Sequence, residues 1–140
     1  PLVIGWCEAE YRLPVGLAGI SMGGHTTFGS LLMKPHPKVC VPIIGSPASP
    51  VAAAEARTPE QALADLPRVP LLIVTAGRDS VVPPERARSF AQALRPGYTA
   101  FPERLRYLEF PESEHLMREQ DWKAAWEQIT EWFVTWLPEK

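Results

Sequence analysis

The chain has 140 residues, 46 % of them apolar and 21 % charged, with a formal net charge of −2. That length suits one domain, and that apolar content is enough for a core. The balance of charge leaves no basic footprint for a nucleic acid, no apolar run approaches the roughly 20 residues of a membrane span, and no leader peptide is visible. In chain order, Leu2 to Tyr11 reads as a helix with Ile4 and Trp6 facing inward, Val15 to Ile20 as a short apolar strand, and Thr26 to Met33 as helix-compatible. Val39 to Ile44 reads as a buried strand in which Pro42, lacking an N–H, is an awkward member. An Ala-rich stretch follows, with a helix predicted from Thr58 or Pro59 to Leu66. Pro70 to Ala76 is a continuous apolar run, as in a strand covered on both faces. Glu85 to Leu94 is predicted helical with proline near its first turn, Leu105 to Phe110 alternates like a strand, and a helix is predicted from about Asp121 to Leu137. On that last helix Trp122, Trp126, Ile129, Phe133 and Trp136 recur at steps of 4, 3, 4 and 3 and predict a buried stripe, with Trp132 off it. The alternation of strands and helices predicts an α/β three-layer sandwich around a mostly parallel sheet.

The most informative stretch is Gly19-Ile20-Ser21-Met22-Gly23, a Gly-x-Ser-x-Gly between a strand and a helix. This is the nucleophile elbow of serine hydrolases. The serine must sit on a strained turn with its hydroxyl projecting, and Gly19 and Gly23, lacking Cβ atoms, are expected to let that turn close. The helix start beyond Ser21 aims unpaired N–H groups at any oxyanion formed there, and the Met22 backbone N–H is the expected donor. Asp79 follows the apolar run ending at Ala76, and His115 follows the strand ending at Phe110, so both are expected at the carboxyl ends of strands, where functional groups of parallel sheets gather. The order serine, acid, histidine suits acyl transfer. Ser21 attacks an acyl carbon, His115 takes and returns the proton, and Asp79 orients the imidazole and stabilises its cation. Asp79 also reads as a turn former and His115 as a solvated loop residue. His25 reads as structural and His36 as a loop residue. Glu112 and Glu114 flank His115 as a solvated turn, and Asp121 reads as a helix N-cap or a second candidate acid. Cys7 and Cys40 read as packed free thiols; no metal and no cofactor is expected.

These motifs resemble the C-terminal portion of an α/β-hydrolase of the esterase, dienelactone-hydrolase-like and prolyl-oligopeptidase-like branch. The matching segments are Gly19 to His25, Leu72 to Asp79 with Val82-Pro83, and Glu112 to His115. The resemblance implies a Ser21–Asp79–His115 triad acting on a small-molecule ester. Serine rather than the cysteine of dienelactone hydrolases favours a carboxylesterase. Peptidase, thioesterase and acyltransferase activities share the same triad. The family places several strands before the elbow, and a loop after one of them donates the second oxyanion N–H. Only Pro1 to Pro14 precede the elbow strand here, so that donor is not expected within this chain. Residues 1–140 are expected to form a single, partial domain with room for a small cap at 47–67. Strand 15–20 becomes an edge that a second copy or a missing N-terminal half would cover. A cytoplasmic location is expected. So is an alternative reading, in which the chain is a catalytically silent oligomerisation or interaction module.

Overall fold

Residues 2–48 and 57–137 are described by a computed structural model of the chain. Four strands, β1 (Gly16–Ile20), β2 (Val39–Ile43), β3 (Leu71–Ala76) and β4 (Leu105–Phe110), pair in the order β1-β2-β3-β4, all parallel. Helix α1 (Leu2–Tyr11) precedes them, α2 (Met22–Ser30) links β1 to β2, α3 (Glu85–Leu94) links β3 to β4, and α4 (Glu119–Trp136) follows β4.

The continuous apolar runs of β2 and β3 are buried throughout, because each strand is covered on both faces. Side chains alternate between the two cores. Cys40, Leu71 and Ile73 pack with Phe28 of α2 and Phe90 and Leu94 of α3. Val39, Val41, Ile43, Leu72, Val74 and Ala76 pack with Ala125, Ile129 and Trp132 of α4. The sheet is thus the middle of three layers, as the alternating pattern predicts. Phe28 and Phe90 meet edge to face at 5.4 Å and join the two helices of one layer. On the other side Gly16 lies beneath α4, where a Cβ would come within 2.5 Å of the Phe133 ring.

Several details differ from the sequence reading. Helix α2 starts at Met22, directly after the serine, and ends at Ser30, ahead of the predicted Met33. Beyond Thr58 the chain makes only a short 3-10 turn, Pro59–Ala62, and not a helix to Leu66. Thr58 and Gln61 do form the reciprocal cap, but Pro67 disfavours helical geometry at Leu66. The expected cap at 47–67 falls partly outside the described residues. Pro42 is accommodated at a local cost to pairing. The register joins β2 to β3 only at Cys40–Leu71 and Ile43–Val74, leaving the ladder open at the residue without an N–H.

Trp6 is 57 % exposed while Ile4 is buried, since residues two apart on a helix face nearly opposite ways. The buried face of α4 runs through Trp122, Ala125, Ile129, Trp132 and Trp136, not through Trp126. Steps of 3, 4, 3, 4 and of 4, 3, 4, 3 share Trp122, Ile129 and Trp136. Aromatic size pointed to Trp126, but the sheet accepts the small Ala125 at that level and buries Trp132 instead. Trp126 is 47 % exposed and stacks on Trp122. Cys40 is buried, and burial pushes its thiol up to about 12, which keeps it protonated and inert. Both cysteines are free.

Trp132→Ala is expected to destabilise the fold by about 3 kcal/mol or more, as emptying a core aromatic site does. Trp126→Ala is expected to cost less than about 1 kcal/mol, the scale of an exposed aromatic pair. Urea unfolding of the two variants checks the ranking, and equal losses would contradict the observed face of α4.

Candidate active site

Ser21 is the residue between β1 and α2, and its backbone is held at φ 55, ψ −112, a region that non-glycine residues rarely occupy. Three contacts hold it there. Its N–H donates to the Ile43 carbonyl of β2 at 2.9 Å, its carbonyl accepts from the His25 N–H at 3.0 Å, and Gly19 passes so close that a Cβ would meet the Gly23 carbonyl at 2.2 Å. Glycine at 19 is therefore a steric necessity. Gly23 is a correction to the sequence reading, since a Cβ built there meets nothing within 4 Å among the described residues. Its part in the turn is played by its carbonyl, against Gly19. The crossing of α2 over β2 also depends on bare backbone, because a Cβ on Gly24 would come within 2.5 Å of the Ile43 carbonyl. Met22 opens α2, so its N–H is one of the first-turn amides without an intrahelical acceptor.

The other two expected residues arrive from β3 and β4. Asp79 is 4 % exposed, three residues past the end of β3, and each of its oxygens is engaged. Oδ1 accepts from the N–H groups of Val81 and Val82, both at 2.8 Å, and Oδ2 lies 2.8 Å from Nδ1 of His115. Nε2 of His115 lies 3.0 Å from the Ser21 hydroxyl oxygen. With a carboxylate at Nδ1, the neutral ring carries its proton there and presents Nε2 as an acceptor to the hydroxyl. The structure thus brings Ser21, His115 and Asp79, separated by up to 94 residues, into one hydrogen-bonded line.

Two loops must be registered for that line to form, and main-chain bonds register them. The Gly77 N–H donates to the Phe110 carbonyl and the Arg78 N–H to the Ser113 carbonyl, each at 2.8 Å. The approach is tight enough that a Cβ on Gly77 would lie 2.6 Å from Cα of Pro111. The far side of the histidine loop is pinned by residues the sequence did not mark as a group. The Ser113 hydroxyl donates to Asp121 Oδ2 at 2.7 Å and accepts from the Arg118 N–H, while the Arg118 guanidinium donates to the same Oδ2 at 2.8 Å. Asp121 is therefore neither an N-cap nor the acid partner of His115. Helix α4 begins at Glu119, which places Asp121 in the first turn, where the helix dipole also favours its charge. The Ser113 hydroxyl, and after it Arg118, hold its carboxyl below the ordinary carboxylate range. The discoverable signal was spacing: a serine two before the histidine and an aspartate in the first turn of the next helix.

Glu112 is drawn aside by Arg78, with which it makes a surface ion pair. Glu114 is exposed, and its carbonyl accepts from the Met117 N–H. His36 lies in the loop before β2. His25 has the structural role expected of it, since its Nδ1 accepts from the Ser46 N–H at 2.8 Å in the loop after β2. Among the described residues no group of three or more His, Cys, Asp or Glu side chains is placed to hold a metal, and no helix is long and apolar enough to cross a membrane.

A parallel sheet, a strained serine between its first strand and the next helix, and an acid and a histidine beyond the two following strands can be compared with known proteins. No family model matches the chain. It is 29 % identical, over 150 aligned positions, to the "Putative esterase YitV" of Bacillus subtilis (strain 168), covering 88 % of this chain and 57 % of YitV. The crystal structure of a "Putative Dienelactone Hydrolase" from Klebsiella pneumoniae superposes with a TM-score of 0.68 at 22 % identity, over 85 % of this chain and 51 % of that one. The Pyrococcus furiosus esterase Pf2001 superposes with a TM-score of 0.73 at 14 % identity, over 97 % of this chain and 60 % of that one. The chain has the α/β-hydrolase fold. It spans little more than half the length of these relatives, and within that span the hydrolase fold's parallel strands, elbow and strand-end loops are in the expected order.

Asp121→Asn is expected to loosen the histidine loop and lower thermal stability at neutral pH. A carboxyl held below its unfolded value stabilises the fold above that value and stops doing so as pH falls through the folded one. The stability gap between variant and parent should therefore close below about pH 4, near the unperturbed Asp value. Thermal melts from pH 3 to 7 check this, and a gap that widens in acid would contradict it.

Proposed function

We propose that the chain carries the reactive face of a serine hydrolase that cleaves carboxylic esters through an acyl-enzyme. The observation that carries this reading is the line from the Ser21 oxygen through His115 to Asp79, starting on a strained elbow. Nε2 of His115 removes the hydroxyl proton as the Ser21 oxygen bonds to the ester carbon. The resulting oxyanion is met by the Met22 N–H at the start of α2. His115 then returns the proton to the leaving alkoxide, and a water repeats the sequence to release the acid. Asp79, bound by two backbone N–H groups and sealed from solvent, keeps the imidazole oriented and its cation stabilised. The sequence relative, a putative esterase by name, supports ester chemistry.

A second reading rests on the edge of the sheet. Strand β1 has no partner on its outer side among the described residues, and Ile20 is 43 % exposed there. Such an edge recruits another strand, from more of the polypeptide or from a second copy. A chain that uses this edge to associate while remaining inert would be an interaction module of the same fold.

A fluorophosphonate probe separates the two readings. Labelling at Ser21, lost in Ser21→Ala, is expected together with hydrolysis of p-nitrophenyl esters. Asp79→Asn should lower turnover by about 10⁴-fold, the loss that follows when a triad histidine is held in the wrong tautomer. Folded protein that neither labels nor turns over, and whose native mass is that of a dimer, would establish the interaction module instead.

A further inference from the structure

The elbow helix carries a second imidazole that the proposed chemistry leaves unused. The Ser46 backbone N–H donates to Nδ1 of His25 at 2.8 Å. Nδ1 also lies 3.4 Å from the Ser46 carbonyl oxygen, but the amide contact is much the shorter; a backbone amide can only donate, so Nδ1 accepts and the neutral ring carries its proton on Nε2. Nε2 has no hydrogen-bond partner among the described residues. His25 lines a cleft of about 540 Å³ together with Ser46 and with Val81, Val82 and Pro83 of the acid loop. The cleft is thus bounded by the helix that starts directly after Ser21 and by the loop that bears Asp79. Ala48, Val81, Val82 and Pro83 give it an aliphatic side, and the His25 donor is pre-oriented by the Ser46 contact.

We propose that His25 is a specificity-determining residue: its Nε2–H binds a neutral acceptor oxygen on the acyl chain of the substrate. The inference rests on the serine-hydrolase reading, and three arguments define it. The acyl group is the part of an ester that becomes bonded to Ser21, so its position is tied to the helix that also carries His25. The His25 N–H is bonded to the Ser21 carbonyl at 3.0 Å, so the ring is carried one turn beyond the serine, on the scale of the first few atoms of an acyl chain. The charge of the cleft decides against a carboxylate. Arg86, the cation that lines it, is paired with Glu60 at 3.0 Å, and Glu85 adds a further negative charge. An anionic acyl chain would meet no uncommitted cation among these groups, whereas a keto, ether or ester oxygen suits a single neutral donor.

The test reads binding in the 140-residue chain bearing Ser21→Ala, so that it does not depend on turnover. The probes are methyl 4-oxopentanoate, methyl pentanoate and the anion of monomethyl succinate, followed through the ¹⁵N imidazole signals of a protein with 3 histidines. The oxo ester is expected to bind about tenfold more tightly than the plain ester, the ratio corresponding to one net hydrogen bond. It should move the His25 signals, and the anion should show no such gain. Adding His25→Asn should abolish the tenfold preference, since an asparagine oxygen can still accept from Ser46 while its NH2 group falls short of the imidazole Nε2 position. Unchanged melting of that variant would show the loop intact. Equal affinity for the two esters, a preference that survives His25→Asn, tighter binding of the anion, or no binding of either ester would each overturn the proposal. Loss of fluorophosphonate labelling in the parent chain strikes the serine-hydrolase reading alone and leaves this binding result legible.

Discussion

The register between β3 and β4 is the constraint on which the site depends. Six consecutive pairs, from Leu71–Leu105 to Ala76–Phe110, end the two strands at the same level. Asp79 comes three residues later on one side and His115 five residues later on the other, and the bonds from Gly77 to Phe110 and from Arg78 to Ser113 continue the pairing into the loops. A slip of one residue would turn every side chain of a strand to the other core and carry the acid away from the imidazole. Leu72 and Val74 lie in one core and Leu71 and Ile73 in the other, and because both faces are apolar the register rests on the ladder and on the loop bonds that continue it.

The serine is held by a different part of the sheet. Its N–H is tied to Ile43 at the end of β2, and α2 approaches that strand end so closely that Gly24 and Gly45 touch backbone to backbone. His25 extends the same connection by accepting from Ser46. The positive φ at Ser21 is a local cost of about 1–3 kcal/mol, and it persists because these surrounding contacts over-determine the turn. Ser21 and the His115–Asp79 pair thus sit on separately braced loops, and their side chains meet at the 3.0 Å contact between Ser21 and His115. A fault in the histidine loop would disturb that contact while leaving the elbow formed.

Much of this was legible in the chain. The elbow is local in sequence, and the covered strands announce themselves as unbroken apolar runs. The strand-end positions of Asp79 and His115 follow once those strands are recognised. What was not legible involves competition between faces or partners distant in sequence. Trp126 and Trp132 fit equally good helical periods, and only the shape of the sheet beneath α4 chooses Ala125 with Trp132. Ser113, Arg118 and Asp121 look like ordinary loop and helix-start residues until folding brings the hydroxyl, the guanidinium and the carboxylate together. Gly23 satisfies the motif by residue type, yet the steric need lies at Gly19, where a Cβ would run into the Gly23 carbonyl.

The two sides of the sheet do unequal work. β4 receives Leu105 to Phe110 against β3 and is backed by the Tyr107–Glu109–Arg88 group, in which Arg88 grips the Glu109 carboxylate with bonds of 2.8 and 2.9 Å. β1 and β4 each have one neighbouring strand among the described residues, but β1 is built from Gly16, Leu17, Ala18, Gly19 and Ile20. Small residues there are imposed from two directions, by Phe133 packing onto Gly16 and by the elbow closing onto Gly19. A strand with so little side chain contributes little burial of its own, so its placement rests on the β2 ladder and on α2 and α4 above and below it. Ser21 therefore hangs from the strand with the least side chain of its own, held in place by its neighbours, while Asp79 and His115 follow the two strands joined by six consecutive pairs. Whatever pairs with the outer side of β1 would stiffen the position of Ser21 more than that of Asp79 or His115.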